Sequence, residues 1–149
     1  MQQVNQPSKT ARVTGYVLST IAVLFMLMDS GMKIVCPPFV VQASAQLGYS
    51  SPATLRAIGV ALLVFVILYV IPRTAILGAI LLTGFLGGAV EANVRVGQPL
   101  FNLAFPLLFG LLVWGGLWLR DVQLRSLVPL AKRTDEAASA AGAVPVPAR

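Results

Sequence analysis

The sequence predicts an all-α fold: an integral membrane four-helix bundle with both termini in the cytoplasm. Three observations carry that expectation. Four apolar stretches, at about 13–32, 53–72, 74–93 and 103–120, take up about half of the 149 residues. Only 11% of the residues are charged against 57% hydrophobic, and mean hydropathy is +0.83, whereas a water-soluble domain carries roughly 25% charged residues. The basic residues are also unevenly placed. Taking the four stretches as successive spans puts Lys9, Arg12, Arg73, Arg120, Arg125, Lys132, Arg133 and Arg149 on one side and Lys33, Arg56 and Arg95 on the other. Lys and Arg in short flanks are retained on the cytoplasmic side, which assigns the first group to it. The net charge of +6 is therefore a topology signal and an attraction to anionic membrane lipids. Nucleic acid is excluded as a partner, because aromatic and basic residues do not interleave as a stacking groove requires.

Each element follows in order. Residues 1–12 form a cytoplasmic tail ahead of a transmembrane domain at 13–130. A helix needs about 20 residues to cross a hydrocarbon core of about 30 Å. The first span is uncharged only over 13–28, so Asp29 must lie near one surface. Lys9 and Arg12 ahead of it, with Ala43, Ser44 and Ala45 beyond, imitate a signal peptide. That small-residue site lies past Pro37 and Pro38, however, and a signal peptide ends within roughly 15–30 residues. An uncleaved span is expected. The uncharged segment 34–55 contains Cys36, Pro37, Pro38, Gly48 and Pro52 and is too broken to cross. Phe39, Val40, Val41 and Leu47 suit either a surface loop or a short amphipathic helix lying on the membrane.

The second span opens at Ser51, Pro52, Ala53 and Thr54. Ile71, Pro72, Arg73 and Thr74 then leave room only for a tight antiparallel hairpin, with Thr74 placed to cap the third helix. That third span is uncharged over 74–90 and reaches full length if Glu91 to Asn93 enter the headgroup zone. The fourth lies within an uncharged run at 96–119. Residues 131–149, rich in alanine, are expected to be a flexible cytoplasmic tail.

Small residues mark expected packing faces. Gly84 and Gly88 are four apart on the third span, and Gly115 and Gly116 offer a smooth patch on the fourth, so close helix approach is expected at these four glycines. On that basis Gly88→Leu should destabilise the bundle against a neighbouring helix or another subunit. Trp114 and Trp118, one turn apart, are expected to anchor the fourth span at the cytoplasmic interface.

The polar candidates cluster at the outer ends of the first and third spans. Asp29 to Lys33 and Glu91 to Arg95 are acid-before-base pairs at i, i+4, the favourable order on a helix. Asn93 joins them, and Arg56 at the start of the second span would make the group net positive. Parallel helices can stand diagonally across a bundle, so Asp29, Lys33, Arg56, Glu91, Asn93 and Arg95 could surround a polar pocket. They could equally be depth markers that snorkel into headgroups.

The inventory excludes much chemistry. There is no histidine and a single cysteine, Cys36. A histidine-ligated haem, a His-based zinc site, a Ser/His or Cys/His nucleophile and an intrachain disulfide are all beyond this chain. No metal site and no cofactor is expected within it. Any redox centre must be a diffusible quinone or belong to a separate redox subunit.

Several segments together resemble the DoxX-like family of small four-helix bacterial membrane proteins. They are Leu47-Gly48-Tyr49; Ile71-Pro72-Arg73; the run from Leu77 to Val90 with Gly84, Gly87 and Gly88; Val94-Arg95-Val96-Gly97; and Trp114-Gly115-Gly116-Leu117-Trp118-Leu119-Arg120-Asp121. The resemblance covers about residues 14–130. It implies a multi-pass protein of the bacterial inner membrane, with Gly31 and Lys33 closing the first helix and Asn93 standing where relatives frequently have histidine. It also implies a role as an accessory or scaffold subunit. The alternative is the membrane subunit of a quinone-linked oxidoreductase handling a small anionic substrate, as DoxX and DoxD relatives are associated with a thiosulfate:quinone oxidoreductase. A second alternative is a small-molecule transporter, although such a carrier places its working carboxylate near midmembrane. Expected partners are membrane lipids and either further copies of this chain or a separate redox subunit.

Overall fold

Five helices follow one another in the computed structural model, which describes residues 8–121 and Leu124: α1 (Lys9–Val35), α2 (Pro38–Gln46), α3 (Pro52–Val70), α4 (Ala75–Arg95) and α5 (Leu100–Arg120). All but α2 are long and apolar enough to cross a membrane. The expected four-helix membrane bundle is thus what forms. The 131–149 tail, and the charges at Arg125, Lys132, Arg133 and Arg149, lie outside the described residues.

Helices run past the apolar stretches at both ends of α1, the end of α4 and the start of α5, while α3 and α4 stop short of their expected bounds at the 71–74 turn. α1 starts at Lys9, where the Ser8 hydroxyl accepts a hydrogen bond from the Ala11 N–H at 3.2 Å, as an N-cap should. It runs on to Val35, so Lys33 is still helical, and Cys36 closes it in the left-handed conformation at φ 54°. The segment after it takes the short-helix form: α2 buries no residue, and Phe39 is exposed.

α1 packs on α3 and α5, and α4 packs on the same two, so α1 and α4 run parallel on opposite corners of the bundle. Ala22, Met26, Leu62, Val66, Tyr69, Ala79, Leu82, Val113 and Leu117 fill the middle. Large apolar side chains such as Leu24, Leu77, Leu107 and Leu111 point outward. Lipid is as apolar as they are, so helix association here rests on close packing and interhelical hydrogen bonds.

Those close contacts occur at three crossings. A Cβ on Gly116 would stand 2.4 Å from the Ser19 hydroxyl, and one on Gly15 2.9 Å from the Gly116 carbonyl oxygen, which fixes α1 against α5. A Cβ on Gly59 would stand 2.9 Å from that of Lys33, and the Ser30 hydroxyl donates to the Gly59 carbonyl at 2.8 Å, joining α1 to α3. A Cβ on Gly78 would fall 2.3 Å from the Tyr69 backbone nitrogen, the tightest approach of all, between α3 and α4.

Hydrogen bonds reinforce this packing. The Tyr69 hydroxyl donates to the Val113 carbonyl at 2.9 Å, which leaves it to accept from the Ser19 hydroxyl at 2.9 Å. One buried phenol therefore ties α3 to both α1 and α5. The Arg120 guanidinium lies 5.1 Å from its ring centre and 5.7 Å from that of Tyr16, within range of a cation–π attraction. Among the described residues no buried side-chain nitrogen or oxygen lacks a partner, as a low-dielectric interior demands.

Three expectations change. Within the chain, a Cβ on Gly84 or Gly88 would meet nothing within 4 Å. Among the described residues these two glycines make no close helix contact, and the Gly116 part of the smooth patch on α5 is used by α1 instead. Trp114 donates its indole N–H to the Thr83 hydroxyl at 2.8 Å, and both tryptophans pack against the core, so they bind α5 inward. Thr74 makes no side-chain cap for α4; its hydroxyl donates backward to the Leu68 carbonyl at 2.8 Å, satisfying the end of α3.

An even number of crossings puts Lys9 and Arg120 at one end of the bundle, with the 71–74 turn, and Lys33, Arg56 and Arg95 at the other. The uneven distribution of basic residues favours the first end as the cytoplasmic one, and we propose that orientation for test. Reporter fusions at Ala131 and Gly97 should accordingly report the cytoplasm and the opposite compartment; the same compartment for both would overturn the topology.

Candidate functional site

α1 has 27 residues, more than the roughly 20 that span a bilayer, so its last turns rise toward the membrane surface. Asp29 and Lys33 share one face there and form a half-buried ion pair. At the end of α4 the equivalent pair, Glu91 and Arg95, is looser at 3.9 Å and mostly exposed, a geometry worth little in stability. α1 and α4 stand diagonally, and a cavity of about 460 Å³ opens between their ends.

Its walls are aromatic. Phe25 stacks on Phe109 with ring centres 4.2 Å apart and planes 22° apart, and Phe105 meets the Phe25 ring edge-on at 5.1 Å. Phe85 lines the α4 side. The rim is polar: Asp29, Lys33, Glu91 and Asn93 all border the space. Asn93 donates through its amide to the Ala89 carbonyl of its own helix at 2.7 Å. Over the water-facing end lie Ser44, Leu47 and Tyr49, contributed by α2 and the turn after it.

Two of the six polar candidates stand outside the lining. Arg56 is exposed on the first turns of α3. Arg95 turns away to donate from Nη2 to the Leu47 carbonyl at 2.9 Å, the C-terminal cap of α2. A cation at a helix C-terminus meets the negative end of the helix dipole. Gly48, at φ +90°, leaves room for the contact, since a Cβ there would come within 3.3 Å of the same guanidinium nitrogen. Arg95 therefore fastens the α2 segment over the cavity. The net positive rim expected from Arg56 is not formed, because that side chain extends from the bundle and the remaining rim charges are Asp29, Lys33 and Glu91.

The glycine candidates divide as well. Gly88 borders the cavity, while Gly84, Gly115 and Gly116 do not. The sequence reading missed the aromatic wall altogether. Its signal was present: Phe101, Phe105 and Phe109 recur every four residues on one face of the fourth span, and Phe25 precedes Asp29 by four. Among the described residues no group of three His, Cys, Asp or Glu could hold a metal.

The arrangement can receive a molecule with a flat apolar body and a polar end: rings against rings below, hydrogen-bonding and charged groups above. The model of the DoxX-like family matches residues 17–116, from the third turn of α1 to the last turns of α5. No curated protein and no solved structure matches the chain.

Proposed function

This chain belongs to the DoxX-like family of membrane proteins, and from that premise we propose that it is an accessory subunit of the bacterial inner membrane that holds a small, lipid-soluble molecule between its helices. The cavity with aromatic walls and a charged rim carries this reading. Its volume of about 460 Å³ falls within the range of about 300–1,000 Å³ usual for small-molecule sites. The Phe25, Phe105 and Phe109 cluster offers a ring-stacking surface, and Lys33 and Asn93 offer donors to an oxygen at the head. With no histidine and one cysteine, the chain supplies binding and orientation, and a partner supplies the chemistry. A charged anion is poorly favoured, because Asp29 and Glu91 share the rim with Lys33.

A quinone-linked oxidoreductase subunit is the second reading, and the same aromatic cluster favours it. A quinone is flat, neutral and lipid-soluble, with oxygens that accept hydrogen bonds. The residues fit such a group, with Phe25, Phe105 and Phe109 against the ring and the Lys33 ammonium toward an oxygen. A quinone would supply the two-electron chemistry that this chain's side chains do not. The transporter reading is the weaker fit, since Asp29 and Glu91 both lie toward helix ends, away from the midplane where carriers bind their cargo.

Titrating decylbenzoquinone into the full chain in nanodiscs tests the cavity. Saturable binding with a rise in melting temperature is expected. Phe105→Ala should weaken it about fivefold through lost ring contact, with little unfolding because Phe105 is 37% exposed. Non-saturable partitioning that is the same for parent and variant would show that the space holds no such ligand. Quinone reduction that appears only when a separate redox subunit is added would favour the second reading over the first.

A further inference from the structure

We infer that the cavity is loaded sideways from the bilayer, through a gap on the α3 flank of α4 whose edge is Gly88. This rests on the cavity being a ligand site and adds where the ligand comes from: it is a molecule dissolved in the membrane. Three observations lead there. The water-facing end is covered by α2 and its turn, which Arg95 fastens through the Leu47 carbonyl. Gly88 borders the cavity and is itself exposed. A Cβ at Gly88 would meet no atom of the described residues within 4 Å, so none of them packs against that position.

The direction of the gap follows from helix geometry. Residues advance about 100° each around an α-helix. Gly78 faces α3, where a Cβ would touch the Tyr69 backbone, and Leu86 faces α5, where its Cδ1 lies 3.9 Å from a Cβ on Gly110. Gly88 stands about 80° from Gly78 and about 160° from Leu86, so the open side belongs to α3. α3 and α4 are pressed together at the Tyr69–Gly78 end and are not in contact at Gly88. Glu91, one turn further and 65% exposed, sits above the opening at headgroup depth. An amphipathic molecule that keeps its polar head at that depth would slide its apolar body past Gly88 without crossing water.

A side chain at Gly88 should therefore obstruct the route while leaving the fold intact. The test follows decylbenzoquinone binding to the full chain in lipid nanodiscs by stopped-flow quenching of tryptophan emission, comparing the parent with Gly88→Leu and Gly84→Leu. Gly84 is equally open but does not border the cavity. Gly88→Leu should slow association by about tenfold with the melting temperature unchanged, and Gly84→Leu should match the parent. Parental rates in Gly88→Leu would overturn the route. So would a change in Kd at an unchanged association rate, which would make position 88 a contact surface, or a lowered melting temperature, which would mean that Gly88 meets a neighbour. If the parent shows no saturable binding, the ligand reading falls, and the route falls with it.

Discussion

Gly78→Leu is expected to remove most of the folded protein. A Cβ at this position would lie 2.3 Å from the Tyr69 nitrogen, 2.5 Å from its Cα and 2.8 Å from the Leu68 carbonyl carbon. All three are backbone atoms, so no rotamer change relieves the clash, and the four-residue connection at 71–74 gives α3 no slack to retreat. Overpacking usually costs about 1–3 kcal/mol; with a rigid neighbour and a branched side chain, the upper end, about 3 kcal/mol, is expected here. Thermal unfolding in detergent, read by loss of monodisperse protein, measures it. A melting temperature equal to the parent's would mean that α3 and α4 do not touch at the turn.

The second large effect concerns neighbouring glycines with different surroundings. Gly116→Ala places a methyl 2.4 Å from the Ser19 hydroxyl, 2.9 Å from the Ser19 nitrogen and 3.0 Å from the Gly15 carbonyl oxygen. α1 must move away from α5, and the Ser19 to Tyr69 hydrogen bond is stretched with it. A loss of about 2 kcal/mol is expected, the steric cost plus part of one buried hydrogen bond. Gly115→Ala meets only Leu18 Cδ1 at 3.9 Å, an ordinary contact, and should stay within about 0.5 kcal/mol of the parent. Equal melting temperatures for the two variants would dissolve the distinction.

These glycines also show what the sequence made legible and what it did not. The four spans, the short α3–α4 connection and the two acid–base pairs can be read from one dimension, because hydropathy and i, i+4 spacing are properties of a single helix. Which glycine meets which helix is a property of pairs. Gly84 and Gly88 carry the familiar spacing yet a Cβ on either meets no described residue within 4 Å, while Gly78 and Gly116 stand without a glycine four residues away and make the closest approaches, followed by Gly15 and Gly59. Arg95 shows the same limit at the candidate site. Its partner on its own helix was visible in the sequence, whereas the Leu47 carbonyl, distant along the chain, was not. The aromatic wall was half legible: the four-residue recurrence of Phe105 and Phe109 is a property of one helix, but in a membrane span every face is apolar, so whether that face meets a cavity or lipid shows only once the helices are assembled.

The junction of Tyr69 with Gly78 has a counterpart further along the same helix. α3 has 19 residues, a rod about 28 Å long at 1.5 Å per residue. Backbone touches backbone at Tyr69, and ten residues away, about 15 Å along the rod, the Gly59 carbonyl is held by the Ser30 hydroxyl at 2.8 Å. Two fixed points on one rod leave it little freedom to tilt. α3 is thus a strut that holds α4 at one junction and α1 at the other, and so sets the spacing of the two diagonal helices.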